Sequence, residues 1–248
     1  MGLDAAKGKY VYFMDSDDFV ELNALKELHD LIEEKSCDLI IFKTYNFLEN
    51  TKEYIIEDYY EMPELTRMVG NRTFHYQDHL KQLINVDVTV YTKFFKRKIV
   101  SDIRLVEDLI FEDVVFAMEL IFNSGSIYFY DKHLYHRRMH DNSLMGNNNE
   151  LFMDVLEILN KLEDLFKEKG YYEEHKETLF IKKIGVLNYR IDLIDDKYKE
   201  EFFNRIKLDL KEKQEEYGNV DFNMIDKNTI NLYERFLNCK EYSEFINN

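Results

Sequence analysis

The sequence predicts an α/β fold over residues 1–148, a mixed sheet with flanking helices, followed by an all-α region over residues 149–248. Three observations carry this expectation. In the first half, short apolar runs alternate with helical patterns, the order of a sheet covered by helices. After Gly146 the strand signals vanish and four amphipathic patterns follow one another. Between the two styles lies Asn147-Asn148-Asn149, a run suited to a connection.

Residues 10–14 (YVYFM) form the first strand candidate. Residues 22–34 place Leu22, Leu25, Leu28, Leu31 and Ile32 at helical spacing. Residues 38–45, with Leu39, Ile40, Ile41 and Phe42, read as a buried strand. Residues 46–75 are irregular, hold the single proline, Pro63, and read as an excursion. A short helix is expected over 77–85 and a strand over 88–95. Val114, Val115, Met118, Ile121 and Phe122 give 111–122 a helical apolar face, and 126–130 reads as strand. In the second half Leu151, Val155, Leu159, Leu162 and Phe166 share one helical face, and further helices are expected near 173–194, 198–216 and 228–246.

Composition bounds the function. Of 248 residues, 45% are apolar, enough for a sizeable core. A net charge of -16 argues against nucleic acid or an anionic membrane surface as the main partner, since both reward positive fields. Cys37 and Cys239 alone make no disulfide framework, which points to a reducing compartment. No apolar run is long enough to span a bilayer, and the N-terminus does not read as a signal peptide. The expected location is cytoplasmic, including the inner face of the cell membrane as a peripheral site.

The chemistry concentrates in VYFMDSDDF, residues 11–19, where an apolar strand runs into Asp15, Asp17 and Asp18. Packed carboxylates repel and are costly to desolvate, so a bound cation is the natural compensation. An EF-hand is excluded: its loop needs Gly at position six and Glu at position twelve, where this chain has Val20 and Lys26. A phosphatase with an Asp-x-Asp nucleophile normally continues with Gly, whereas Asp18 and Phe19 follow here. A plain capped turn, with Asp17 or Asp18 at the start of the next helix, is the bland alternative.

The longer run GLDAAKGKYVYFMDSDDFVE, residues 2–21, resembles the central signature of family 2 glycosyltransferases with the Rossmann-like GT-A fold. That signature is a Gly-Leu-x-x-Ala-x-Gly-x-Tyr run, an apolar strand and Asp-x-Asp-Asp. The resemblance implies a partial GT-A domain over 1–148, with Asp15 contacting a nucleotide sugar, Asp17 binding Mg²⁺ or Mn²⁺, and Asp18 structural at a helix start. Two later segments are similar to the same family in the right order. Phe111-Glu112-Asp113 opens a helix, where Asp113 would be the general base for an acceptor hydroxyl and Glu112 would contact substrate; Glu107-Asp108 is a second such pair. LYHRRMHDNS, residues 134–143, resembles the segment that closes the domain. There Arg138 would stabilise a departing diphosphate and His140 would complete the metal shell, with Arg137 and His136 as the competing choices. Lys93, in a family-like Lys-Phe-Phe-Lys-Arg run, is a weaker donor or acceptor contact.

The resemblance extends over residues 2–145, and the opening strands of a complete family member are not seen ahead of Gly2. The implied activity is transfer of a sugar from a nucleotide-sugar donor to a saccharide or polyol acceptor in cell-surface polysaccharide or glycoconjugate synthesis, with inversion. The alternative is a truncated non-catalytic remnant acting as a protein-interaction module. No nucleic acid is expected as a partner, and a membrane or protein partner is expected to engage the helical tail.

Overall fold

The computed structural model describes residues 2–86, 88–139 and 149–247. These fall into two compact units, one drawn from Met1–Glu107 and Glu112–Ser143, the other from Asp108–Phe111 and Leu144–Asn248.

The first unit is a mixed sheet with helices. Its strands are β1 (Tyr10–Tyr12), β2 (Phe19–Val20), β3 (Leu39–Leu48), β4 (Glu53–Ile55), β5 (Thr73–Phe74), β6 (Lys93–Lys96) and β7 (Ile127–Met139). The main order is β1-β6-β3-β7-β2, with β4 added to β3 and β5 to β7. Among the described residues the central pair, β3 and β7, is parallel and the other pairings are antiparallel. Leu39, Ile40, Ile41 and Phe42 are all fully buried, so both faces of β3 are covered. That explains why this strand reads as a continuous apolar run rather than an alternation. One cover is the helix Ala24–Lys35, whose Ala24, Leu28 and Ile32 pack with Ile40, Phe42, Phe94, Leu134 and Tyr135. The pairing of β3 with β7 shifts register between Phe42 and Thr44, where β7 bulges to fit its greater length. Beyond that bulge Thr44 pairs with Tyr135, Tyr45 with His136 and Asn46 with Arg137.

Several expectations are corrected. Helix Ala24–Lys35 starts later than expected, and Leu22 is fully exposed ahead of it. Its N-cap is Asn23, so neither Asp17 nor Asp18 caps a helix. The expected strand over 88–95 is a 3₁₀ turn, Val90–Thr92, ahead of β6. The Thr92 hydroxyl donates to the Thr89 carbonyl at 3.0 Å, a local bond that diverts the backbone from a ladder. The expected helix over 77–85 is a 3₁₀ turn, Tyr76–His79, followed by the helix Leu80–Leu83. The excursion over 46–75 holds the end of β3, β4, β5 and the helices Asp58–Glu61 and Pro63–Met68. The strand expected over 126–130 runs on to Met139, through most of the basic segment.

The second unit is helical: Asp154–Glu168, Tyr172–Leu193, Asp196–Glu212 and Lys227–Asn238, with shorter Gln214–Tyr217 and Tyr242–Asn247. Phe152, Leu159, Phe180, Ile184, Phe202, Phe203, Ile206 and Phe236 form its core. Helix Asp154–Glu168 stops at Gly170, whose φ of 77° is the left-handed conformation that glycine adopts without strain. The Tyr171 amide donates to the Phe166 carbonyl and the Gly170 amide to the Lys167 carbonyl, a Schellman closure. Inside this unit Lys183 donates to Asn160 Oδ1 at 2.6 Å and to the Tyr217 hydroxyl at 2.8 Å, and lies 2.8 Å from Asp209. Tyr217 in turn donates to buried Glu163 at 2.9 Å. Among the described residues no helix is long and apolar enough to cross a membrane.

Candidate active site

β1 delivers the chain to the acidic stretch. Phe13 anchors that exit, with its ring 5.7 Å edge-on to Phe116 and 6.2 Å from Phe95. A tight turn follows, in which the Asp18 amide donates to the Asp15 carbonyl at 3.3 Å. The chain then enters β2, which pairs with the far end of β7, Phe19 opposite His136 and Val20 opposite Tyr135. β7 therefore runs directly past the three acids, although it lies some 120 residues away in sequence.

Asp15 and Asp18 have different surroundings. The Asp15 amide donates to the Tyr135 hydroxyl at 3.2 Å. That hydroxyl donates to Asp18 Oδ2 at 2.5 Å, and the Arg138 amide donates to Asp18 Oδ1 at 2.7 Å. Both Asp18 oxygens thus accept bonds from β7. The surrounding protein pushes the Asp15 carboxyl above its ordinary value, and the charges of Asp18 and Asp17 push it further; Arg137 partly offsets them. Asp18 is also raised, first by burial, while the bonds from Tyr135 and Arg138 act in the opposite sense. Like charges crowded on one turn leave a local excess of negative charge that a cation would relieve.

Alternation along β7 separates the basic residues. Tyr135 and Arg137 share one face, with the Arg137 guanidinium 3.4 Å from the Tyr60 hydroxyl. Burial works against the Arg137 charge, but Tyr60, Tyr91, Glu57 and Asp18 hold its pKa above the ordinary value. His136 and Arg138 share the other face. His136 lies 3.0 Å from Glu21, and Arg138 pairs with Glu49 at 3.2 Å and sits over the Phe19 ring. The Arg138 side chain pairs with Glu49 and its backbone amide serves Asp18, while the Arg137 charge lowers the pKa of both Asp15 and Asp18. His140 lies outside the described residues.

The Glu112-Asp113 pair opens the helix Asp113–Phe122, with Glu112 at the N-cap and Asp113 in the first turn. The Glu112 charge adds to the raised pKa of Asp15. Asp108, of the alternative pair, lies in a bend with φ 62° and opens no helix. Lys93 is fully buried; its ammonium donates to the Thr89 carbonyl at 2.7 Å and to the Thr92 hydroxyl at 3.0 Å, which removes it from any ligand-facing role. Asp18 is corrected from helix start to partner of β7. Tyr135 is not singled out by the motif; its place beside Asp18 follows from the pairing of β2 with β7.

Carboxylate oxygens suit Mg²⁺ or Mn²⁺, which take few protein ligands and complete their shell with phosphate oxygens and water. Asp15 and Asp17 fit such a shell by chemistry and by their crowding. Among the described residues no group of three His, Cys, Asp or Glu side chains is assembled as a ligand set. A cation here would therefore depend on ligand oxygens for the rest of its coordination.

Comparison with known proteins places this geometry in context. Residues 1–104 match the family model described as Glycosyl transferase family 2. Glycosyltransferase GlyG of Streptococcus pneumoniae serotype 4 is 23% identical over 172 residues, covering 65% of this chain and 54% of that protein. Cholesterol galactosyltransferase of Borreliella burgdorferi is 25% identical over 178 residues, covering 70% of this chain and 49% of that protein. The chain spans about half the length of these curated relatives. A crystal structure of S. aureus TarS 1–349 in complex with UDP-GlcNAc aligns with 81% of this chain and 64% of that one, at 16% identity and a TM-score of 0.48.

Proposed function

We propose that this chain, whose residues 1–104 match the Glycosyl transferase family 2 model, transfers a sugar from a nucleotide-sugar donor to a hydroxyl acceptor in cell-surface polysaccharide or glycoconjugate synthesis. The observation that supports the reading is the convergence on one turn: Asp15 and Asp18 bond to Tyr135 and Arg138 of β7, and the charges of Arg137 and Glu112 act on Asp15.

In this reading the acceptor O–H gives its proton to Asp113 as the oxygen bonds to the anomeric carbon, and the bond from that carbon to the donor diphosphate breaks. A carboxylate is needed because a sugar or polyol hydroxyl is a poor nucleophile at neutral pH. A single displacement of this kind inverts the anomeric centre. Asp15 and Asp17 hold the donor and the divalent cation. When bound, Mg²⁺ or Mn²⁺ supplies charge neutralisation at the leaving diphosphate. Arg137 adds a fixed positive charge on the same side, one that a guanidinium keeps at any physiological pH. Glu112, at the helix start, orients the acceptor beside Asp113.

The test is calorimetric titration of the chain with UDP and with GDP, each with and without Mn²⁺. Metal-dependent nucleotide binding is expected. Its absence with both nucleotides overturns the donor-site reading for this polypeptide and favours a non-catalytic interaction module.

A further inference from the structure

Asp18 and Tyr135 do something that a metal-and-donor site does not by itself require. The Tyr135 hydroxyl joins two points of the acidic turn: it accepts from the Asp15 amide at 3.2 Å and donates to Asp18 Oδ2 at 2.5 Å. The second Asp18 oxygen accepts from the Arg138 amide at 2.7 Å, so the carboxylate bridges two neighbouring points of β7. Tyr135 has little freedom to move. It is fully buried, its ring stacks on Tyr91 with centroids 4.4 Å apart and planes within 9°, and its carbonyl accepts from the buried Thr44 hydroxyl at 3.0 Å. Thr44 belongs to β3, the central strand. A rigid strand thus reaches out through one phenol and grips the turn at both ends.

We propose that Tyr135 and Asp18 are positioning residues, a clamp that sets the backbone of the acidic turn so that Asp15 and Asp17 present their carboxylates together. The assignment of Asp15 and Asp17 as donor and metal contacts rests on the function proposed above; the clamp itself rests on the hydrogen bonds. It divides the labour within Asp15-Ser16-Asp17-Asp18. Two acids face ligand, and the fourth residue is used for its two acceptor oxygens. The entropy of ordering the turn is then met on folding instead of on ligand binding, which is how preorganisation raises affinity.

The experiment compares wild type with Tyr135→Phe, Asp18→Ala, Asp18→Asn and the double variant Tyr135→Phe/Asp18→Ala. Tyr135→Phe keeps the buried ring and its stack on Tyr91, so the fold is preserved. Two readouts are taken: affinity for Mn²⁺ with UDP, and hydrogen exchange of the Asp15 and Arg138 amides without ligand. Tyr135→Phe and Asp18→Ala should each weaken Mn²⁺–UDP binding about tenfold, the scale of one hydrogen bond to a charged group. The double variant should be little worse than either, because both remove one device. Asp18→Asn keeps an acceptor for the Arg138 amide but turns an N–H toward the Tyr135 hydroxyl, so its affinity should fall between those of wild type and Asp18→Ala, with the Arg138 amide still protected. Exchange should quicken at the Asp15 amide in Tyr135→Phe and at the Arg138 amide in Asp18→Ala.

If Asp18→Asn binds as weakly as Asp18→Ala while its Asp15 and Arg138 amides exchange as slowly as in wild type, Asp18 acts through its charge and the positioning role is overturned. Unchanged affinity and unchanged exchange in Tyr135→Phe overturn it equally. If wild type binds no Mn²⁺ with UDP, the functional reading fails, and exchange alone decides the clamp: faster exchange upholds it and unchanged exchange ends it.

Discussion

The His136 ring lies flat on the Phe19 ring, with centroids 4.6 Å apart and planes within 8°. These two residues are opposite one another in the β2–β7 pairing. β2 is only two residues long, so side-chain stacking carries much of its attachment.

His136→Ala should therefore lower stability by about 1–3 kcal/mol, from the lost stack and the buried imidazole. Urea unfolding measures this. The same variant should weaken Mn²⁺–UDP binding, because β2 carries the chain out of the acidic turn. Unchanged stability would show that β2 is held by its backbone bonds alone.

Asp17→Ala should reduce Mn²⁺-dependent UDP binding at least tenfold, since removing a carboxylate ligand forfeits more than one charge-assisted bond. Titration with and without Mn²⁺ separates this from a general loss of nucleotide affinity. Wild-type behaviour would remove Asp17 from the metal shell.

Asp113→Asn should lower the turnover of donor about 10²–10⁴-fold, the usual scale of general-base catalysis, while leaving UDP binding in place. Hydrolysis of UDP-sugars, with water as acceptor, is the accessible assay. Glu112→Gln should have the smaller effect of the two. If Glu112→Gln proves the more damaging, the base assignment passes to Glu112, whose charge is the one felt at Asp15.

Asp38 predicts a pH dependence far from the acidic turn. Its carboxylate lies 3.0 Å from Lys96 and 2.9 Å from Lys98. Burial alone would raise its pKa, but the two ammonium groups outweigh it and hold the carboxyl below 3.8. A depressed carboxyl stabilises the fold above its unfolded value and loses that contribution as pH falls through its folded value. Asp38→Asn should thus cost about 1 kcal/mol at pH 7, with the difference from wild type fading in strong acid. Thermal unfolding of both proteins across that range provides the comparison.

Lys183→Met should destabilise the helical unit by about 3 kcal/mol, because it removes the ammonium 2.8 Å from largely buried Asp209 and leaves buried Glu163 with Lys213 alone. The Lys183 side chain is 1% exposed and that of Glu163 2% exposed. Calorimetry should show the loss in the unfolding of this unit.

Much of the fold was legible locally. The continuous run Leu39–Phe42 announced a strand buried on both faces, and the helical spacing of Leu28 and Ile32 announced the helix that covers one of them. Local signals were weaker where short-range bonds compete with extended backbone, as at Thr89 and Thr92. In the site, the crowding of Asp15, Asp17 and Asp18 at the end of β1 was legible from residue order. The orientation of the basic segment was not, because which face each residue of 134–139 takes depends on its pairing in β7 with distant strands.

The sequence by itself determined the two-part organisation, the acidic turn at the end of β1 and the helix that begins at Asp113. These follow from periodicity and residue chemistry over a few neighbouring positions. Only the tertiary structure decided that the Arg137 guanidinium goes to Tyr60 and that of Arg138 to Glu49, that Asp18 bonds to β7 instead of capping a helix, and that Lys93 lies in the interior. The face a strand residue shows depends on register with its neighbour. Here that register is set by the bulge between β3 and β7, which is a property of two strands paired across some 90 residues of chain.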